Sequence, residues 1–179
     1  MTDLTDLQLL AAFPATGEQG LVINDWEKTE QVLGVALPSD FKRFLDVFGG
    51  ATFDDFLHVY RAGAENENVD LVSRTLTARQ TIETTRPHIQ ELLSQRGVTP
   101  AQLIRWGGTD NADLCFLIPH QDYDRWAVLT VIGRGREYDL FEGPVESYLL
   151  SVLRGDIVSD VFPDDFPDEE PSYERNPHI

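Results

Sequence analysis

The sequence predicts a single α+β domain, in which several helices pack on a largely antiparallel or mixed sheet. Two observations predict this class. Helical patterns dominate the first part of the chain, and consecutive apolar strands joined by short turns follow in the second part. With 179 residues, of which 41% are hydrophobic and 25% charged, the chain has the length and composition of one globular domain.

The clearest element is a helix over residues 39–48. Its apolar residues recur at positions i, i+3, i+4 and i+7, which lie on one helical face. Pro38 ends the preceding segment, Ser39 or Asp40 is placed to cap the helix, and Gly49 is placed to end it in a left-handed conformation. The side chains expected in the core are Phe41, Phe44, Leu45 and Phe48.

Two shorter helices precede it. A helix over 4–13 ends before a proline, and residues 21–23 form a brief extended piece. Asn24 is placed to cap a helix over about 25–33, because Glu27 follows three residues later, as in a capping box. The core residues expected on this helix are Trp26, Val32 and Leu33.

The middle of the chain changes from strands to helices. Residues 53–60 are rich in aromatic and β-branched side chains and predict one or two short strands. After a loop over 62–67, a helix covers about 68–85, and another begins at Pro87 and ends at Gly97. The buried side chains expected on these two helices are Val69, Val72, Leu76, Ile82, Ile89, Leu92 and Leu93.

The remaining pattern is a run of strands closed by a helix. The strands are expected over 103–106, 114–118, 126–132 and 137–141. The Gly107-Gly108 pair is expected to break the first, and the other three are joined by short turns and should be antiparallel. The last helix, from Pro144 to Arg154, has the most regular helical period in the chain.

The formal net charge of −17 is large for this length, and it is uneven. Residues 1–60 carry 10 acids and 3 bases, and residues 156–179 carry 8 acids and 1 base. Such a charge repels nucleic acid and anionic membranes and attracts basic partners, although a general solubilising surface explains it equally well. Residues 156–179 also hold four prolines, so we expect an acidic, extended or mobile tail beyond a domain over 1–155.

Cellular location follows from three further features. No apolar run approaches the roughly 18 residues that a membrane crossing requires. The acidic N-terminal residues lack the basic region of a signal peptide. The single cysteine, Cys115, excludes an internal disulfide and fits a reducing compartment. These features predict a cytoplasmic protein that does not contact membranes.

Catalytic and metal-binding patterns are weak, so we expect no enzyme activity and no cofactor. The four histidines have no metal-ligand spacing, and Cys115 lies within an apolar strand, where it acts as a small hydrophobe. Two alternatives stay open. A hard cation could bind the tail acids Asp164, Asp165, Asp168, Glu169 and Glu170. An active site would require converging carboxylates such as Asp110, Asp113 and Asp139.

Several blocks of the sequence, taken in order, resemble the SUKH superfamily. This superfamily groups fungal regulators of cell-wall synthesis with many bacterial immunity proteins. The blocks are Trp26, Glu30 and Leu33-Gly34, then Leu37-Pro38-x-Asp40-Phe41, Phe44-x-x-x-Phe48-Gly49-Gly50, Trp106 to Asp113, Trp126-Ala127-Val128 and Glu146-Ser147-Tyr148-Leu149. The resemblance covers residues from about 20 to 154 and implies a SUKH-like α+β fold.

The resemblance implies binding rather than catalysis. Its bacterial members neutralise a toxin, frequently a nuclease, by forming a stoichiometric complex, so the expected partner is a basic toxin domain. The alternative is a cytoplasmic regulatory or scaffold protein that acts through protein–protein interactions, as the fungal relatives suggest. We expect the partner to contact exposed acidic loops near the Gly-Gly corners, namely at Asp54, Asp55, Asp110, Asp113, Asp122 and Asp124.

Overall fold

In the part of the chain that the structure describes, the fold is a seven-stranded antiparallel sheet with five complete α-helices, which confirms the predicted α+β class. The structure is a computed structural model and describes residues 5–6, 24–122 and 125–175. The helices are α1 (Trp26–Leu33), α2 (Ser39–Phe48), α3 (Leu71–Thr85), α4 (Pro87–Gln95) and α5 (Val145–Leu153). The strands are β1 (Ala51–Phe53), β2 (Leu57–Val59), β3 (Ile104–Thr109), β4 (Leu114–Ile118), β5 (Ala127–Val131), β6 (Tyr138–Glu142) and β7 (Tyr173–Arg175).

The strand order is β6-β5-β4-β3-β2-β1-β7, and every neighbouring pair is antiparallel. The first six strands therefore pair in the order in which they occur along the chain. The two helices α3 and α4 are inserted between β2 and β3, and a short 3₁₀ turn over Pro100–Gln102 leads back into the sheet. The antiparallel pairing predicted for the three consecutive strands β4, β5 and β6 is confirmed.

The central strand β4 is buried on both faces of the sheet, and this explains why it is apolar throughout. In β4, Cys115 and Leu117 point into one core, which contains side chains of α2 and α5. Leu114, Phe116 and Ile118 point into a second core, which α3 and α4 cover. Because alternate residues of a strand face opposite sides, both sets must be apolar here.

Helix α2 has the bounds that the sequence predicts, and its four expected core residues are buried. Phe44 meets Trp106 of β3 in an edge-to-face contact with ring centroids 6.1 Å apart. The predicted capping at the two ends of the helix is wrong. Pro38 occupies the cap position without a side-chain hydrogen bond. The left-handed residue is Gly50, at φ +81°, whereas Gly49 has φ −58°, because the chain turns from Gly50 directly into β1.

Helix α1 is capped by Asp25 instead of Asn24. The Asp25 side chain accepts a hydrogen bond from the backbone N–H of Lys28, at 3.1 Å. Asn24 instead donates its side-chain amide to Asp46 of α2, at 2.6 Å. The buried residues of this helix are Thr29 and Leu33, whereas Val32 is 50% exposed, so this expected core residue is on the surface.

Helix α3 buries Ile82 as predicted, and Val69 and Val72 are partly buried against the core, but Leu76 is not a core residue. The buried residues are Leu71, Thr75, Ala78 and Ile82, which follow a helical period that begins at Leu71. Leu76 consequently lies 46% exposed to solvent. The sequence pattern misleads here because Thr75 and Ala78 occupy core positions that we assigned to larger apolar residues.

Strand β3 continues through Gly107 and Gly108, which were expected to break it. Both residues pair with β2 on one side and β4 on the other. A bulge between Arg105 and Gly107 shifts the register, and a Cβ atom at Gly107 would lie 2.6 Å from the carbonyl oxygen of His58. The glycines therefore allow close approach within the sheet.

Residues 156–175 pack on the domain, so of the two forms expected for the tail, extended or mobile, the mobile one does not describe them. Val161, Phe162 and Phe166 are buried in the first core, and β7 pairs with β1 at the edge of the sheet. Their apolar side chains bury enough surface to fix an otherwise acidic segment. Apart from residues 5 and 6, the helix predicted over 4–13 lies outside the described residues, as does the extended piece over 21–23.

Candidate protein-binding surface

Four of the six predicted partner-binding residues lie at one end of the sheet. Asp54 and Asp55 occupy the turn between β1 and β2, and Asp110 and Asp113 occupy the turn between β3 and β4. The two turns touch, because the backbone N–H of Asp110 donates to the carbonyl of Phe56 at 3.2 Å. Asp122 follows β4 and therefore lies at the opposite end, and Asp124 falls outside the described residues.

Asp54 has an internal role. One of its carboxylate oxygens accepts hydrogen bonds from the backbone N–H and the hydroxyl of Ser172, and the other accepts from the backbone N–H of Asp168 at 3.1 Å. Its backbone N–H also donates to the Ser172 carbonyl at 3.2 Å. Asp54 therefore ties the C-terminal segment to the β1–β2 turn.

Asp113 is fully buried and therefore not available to a partner. Its carboxylate accepts from the backbone N–H of Gly133 at 2.7 Å and from the Thr109 hydroxyl at 2.6 Å. These bonds join the β3–β4 turn to the β5–β6 turn. A buried carboxylate with both oxygens hydrogen-bonded is a structural element of the sheet end.

Asp110 is exposed and is held in place by a short polar chain. The Nε2 atom of His58 lies 2.8 Å from an Asp110 carboxylate oxygen, and the Nδ1 atom lies 2.9 Å from the Thr52 hydroxyl oxygen. With the imidazole proton on Nε2, His58 donates to Asp110 and accepts from Thr52, so each group is satisfied. This chain fixes the direction in which the Asp110 carboxylate points.

Asp55 is exposed at the tip of the β1–β2 turn. Asp54 and Asp55 both have left-handed backbones, with φ values of +48° and +51°. Aspartate adopts this conformation more readily than most residues with a Cβ atom. The turn is further fixed by Phe56, whose ring lies 4.9 Å from that of Phe166 and 6.0 Å from that of Phe162.

The C-terminal segment adds a row of exposed acids that was not among the predicted site residues. Residues 156–174 contain eight acids and no Lys or Arg. Val161, Phe162 and Phe166 are buried and anchor the segment. The segment begins beside β6, where the Asp139 carboxylate accepts a hydrogen bond from the backbone N–H of Asp160 at 2.9 Å, and it ends in β7. We name the resulting surface the acidic rim; its exposed members are Asp55, Asp110, Asp160, Asp164, Asp165, Asp168, Glu169 and Glu170.

Two of the carboxylates that an active site would need, Asp113 and Asp139, are engaged in hydrogen bonds within the fold. Asp113 is used within the turns, and Asp139 accepts hydrogen bonds from Ser159 and Asp160. Burial raises the pKa of the Cys115 thiol to about 12, so this cysteine is a thiol at neutral pH. Among the described residues, no three His, Cys, Asp or Glu side chains are grouped as metal ligands.

No family model, curated protein or solved structure matches the chain. The site therefore has to be interpreted from its own geometry. No helix in the described part of the chain has both the length and the apolar character of a membrane span.

Two parts of this surface escaped the sequence analysis. The first part is the pair His58 and Thr52. These residues are neighbours because β1 pairs with β2, and the sequence does not show this pairing. The acidic, proline-rich composition predicts an extended or mobile tail for the C-terminal acids. The spacing of Val161, Phe162 and Phe166 within that tail was a signal that the segment packs against the core.

Proposed function

We propose that this protein is an immunity protein, which binds and neutralises a toxin domain with a basic surface by forming a stoichiometric complex. The observation that carries the proposal is the acidic rim, where exposed carboxylates are mounted on the turns and on an anchored segment. The resemblance of the sequence blocks to the SUKH superfamily supports the same function.

The rim suits a partner that binds nucleic acid. A nuclease holds phosphate groups with Lys and Arg side chains, and carboxylates can occupy the same positions. The net charge of −17 attracts such a surface over a distance and raises the rate of encounter. Inhibition then follows from covering the substrate surface and requires no catalytic group in the inhibitor.

Rigidity of the rim strengthens the proposed interaction. Ordering a flexible segment on binding costs about 0.5–1.5 kcal/mol for each immobilised rotamer-rich side chain, which lowers affinity. Here Phe162 and Phe166 fix the backbone that carries the acids, and His58 fixes Asp110. Much of the backbone ordering is therefore complete before a partner arrives.

Co-expression with the product of the neighbouring reading frame tests this function. We expect the protein to protect cells from that product and to form a one-to-one complex with it at low salt. Killing that persists on co-expression, without a complex at low salt, would contradict the proposal. Capture of several endogenous partners and no toxin would instead favour the regulatory or scaffold role.

A matched pair of variants localises the binding surface. The rim variant carries Asp164→Asn, Asp165→Asn and Glu169→Gln, and the control variant carries Glu67→Gln, Glu83→Gln and Glu91→Gln, which are exposed elsewhere. Each variant removes three negative charges, so the change in net charge is the same. We expect protection to weaken in the rim variant and to persist in the control variant.

A further inference from the structure

Two arginines and a tyrosine form a cationic cluster where the end of β2, strand β3 and helix α3 meet. The guanidinium of Arg105 lies 5.2 Å from the centre of the Tyr60 ring, and that of Arg74 lies 5.9 Å from it. Arg105 is only 4% exposed and Tyr60 only 5% exposed, whereas Arg74 is half-buried on the first turns of α3. The cluster therefore brings two like charges together near the surface of a very acidic protein.

The charge of Arg105 is poorly compensated. Its Nε and Nη2 atoms donate to the backbone carbonyls of Gly107 and Asp113 at 3.3 Å and 3.4 Å, which are long hydrogen bonds. Neither Arg105 nor Arg74 has an ion pair with a carboxylate of the described residues. Buried charges are ordinarily paired, because desolvation of an unpaired ion is costly.

Arg74 leaves a donor unused. Its Nε atom is sealed from solvent and has no hydrogen-bond partner among the described residues. Burial is the largest cause that lowers the pKa of Arg105, and the charge of Arg74 acts in the same direction. Both arginines therefore gain electrostatically if a negative group enters between them.

Two of the donors converge above Gly108. A Cβ atom built at Gly108 would lie 2.7 Å from the Tyr60 hydroxyl oxygen and 2.8 Å from Arg105 Nη2. The glycine therefore allows the hydroxyl and the guanidinium to approach the same point on the sheet. Along the strands, Gly108 pairs with His58, and the imidazole of His58 holds Asp110.

We propose that Arg74, Arg105 and Tyr60 form a binding site for a small oxyanion, a phosphate or a carboxylate group. The guanidinium groups supply charge and N–H donors, and the Tyr60 hydroxyl supplies a further donor. The ligand reaches the site from the side of half-buried Arg74. This site goes beyond the proposed toxin-binding function, because its ligand is an anion and the acidic rim attracts cations.

Thermal unfolding in different sodium salts at matched ionic strength tests the site. Inorganic phosphate and acetate are the probes, and chloride is the reference. We expect phosphate or acetate to raise the melting temperature beyond chloride, with a saturating dependence on concentration. An effect of phosphate alone identifies a tetrahedral anion as the ligand chemistry, and an effect of acetate alone identifies a carboxylate.

Variants separate anion binding from a purely structural role of the cluster. Arg74→Gln and Tyr60→Phe should each raise the anion concentration needed for half of the shift by at least about fivefold. The control, Arg43→Gln, removes the same charge from an exposed arginine that pairs with Asp40 and should leave the shift unchanged. Equal stabilisation by all three salts, or a shift that survives both Arg74→Gln and Tyr60→Phe, would overturn the proposal.

Discussion

The carboxylate of Asp54 binds both the backbone N–H and the hydroxyl of Ser172, a residue 118 positions later in the chain. One acid of the β1–β2 turn thus holds the segment that carries most of the acidic rim. The role of Asp54 is therefore structural. Although the segment is acidic, Asp54 binds its backbone N–H groups and a hydroxyl, which are hydrogen-bond donors. A sequence of acids alone does not distinguish this carboxylate from its exposed neighbour Asp55.

Replacing Asp54 should loosen the C-terminal segment. Asp54→Asn keeps a residue that tolerates the left-handed backbone but removes one acceptor oxygen, so we expect a loss of about 1–2 kcal/mol in the free energy of unfolding. Amide hydrogen exchange should also accelerate at Ser172. Asp55→Asn is the matched control and should change stability by less than about 0.5 kcal/mol. Equal effects of the two substitutions would contradict the assigned role.

Asp113 should be far more important for stability than for binding. Asp113→Ala removes the acceptor of the Gly133 N–H and of the Thr109 hydroxyl inside the sheet end. We expect a loss of about 3 kcal/mol, measured by urea unfolding. The exposed Asp110 offers the comparison, since Asp110→Ala should cost no more than about 1 kcal/mol. A stable Asp113→Ala variant would show that these hydrogen bonds contribute little.

The C-terminal segment should unfold together with the domain. Phe162 is 6% exposed and packs against Phe56 and Phe166, so Phe162→Ala should lower the free energy of unfolding by about 3–5 kcal/mol. Val158→Ala is the control, because Val158 is 87% exposed and should be neutral. If the segment were mobile, Phe162→Ala would be as neutral as the control.

The ion pair between Arg96 and Glu142 should give a pH-dependent contribution to stability. Hydrogen bonds from the Arg96 guanidinium hold the pKa of Glu142 below its ordinary value of 4.5. Because the folded pKa is depressed, the contribution is complete above the unfolded pKa and is lost as the pH falls through the folded pKa. Glu142 is largely exposed, so the contribution is small.

A double-mutant cycle isolates that contribution. The coupling free energy between Arg96→Gln and Glu142→Gln, obtained from urea unfolding, should be favourable near pH 7 and smaller near pH 3. A coupling that is the same at both pH values would mean that ionisation of Glu142 does not support the pair.

Local sequence patterns predict those elements that are determined by local residues. The helix over 39–48 could be predicted with its bounds because four large apolar residues repeat at the helical period. The capping error at Asn24 arose because neighbouring Asn24 and Asp25 are both good cap residues, and only the contact of Asn24 with Asp46 separates them. Contacts across 22 residues are not visible in a local pattern.

The candidate site was less predictable, because it is assembled from distant segments. Asp55 and Asp110 are exposed at one end of the sheet, and their contact with a partner stays a prediction. However, burial separates Asp113 from them, and the length of β4 places Asp122 at the other end of the sheet. The acids of residues 160–170 join the surface through β7 pairing, the buried phenylalanines and the hydrogen bonds to Asp54, which the acidic composition concealed.

The most direct test of the account is the association rate between this protein and the product of the neighbouring reading frame, measured across ionic strength. Between about 0.01 M and about 1 M salt, the Debye length falls from about 30 Å to about 3 Å, so a partner attracted by charge associates more slowly. We predict a steep fall for the wild type and for the Glu67, Glu83 and Glu91 control variant. The rim variant at Asp164, Asp165 and Glu169 should associate on the order of tenfold more slowly at low salt, with a shallower dependence. Equal rates for the two variants, or a rate independent of salt, would contradict the claim that the acidic rim is the binding surface.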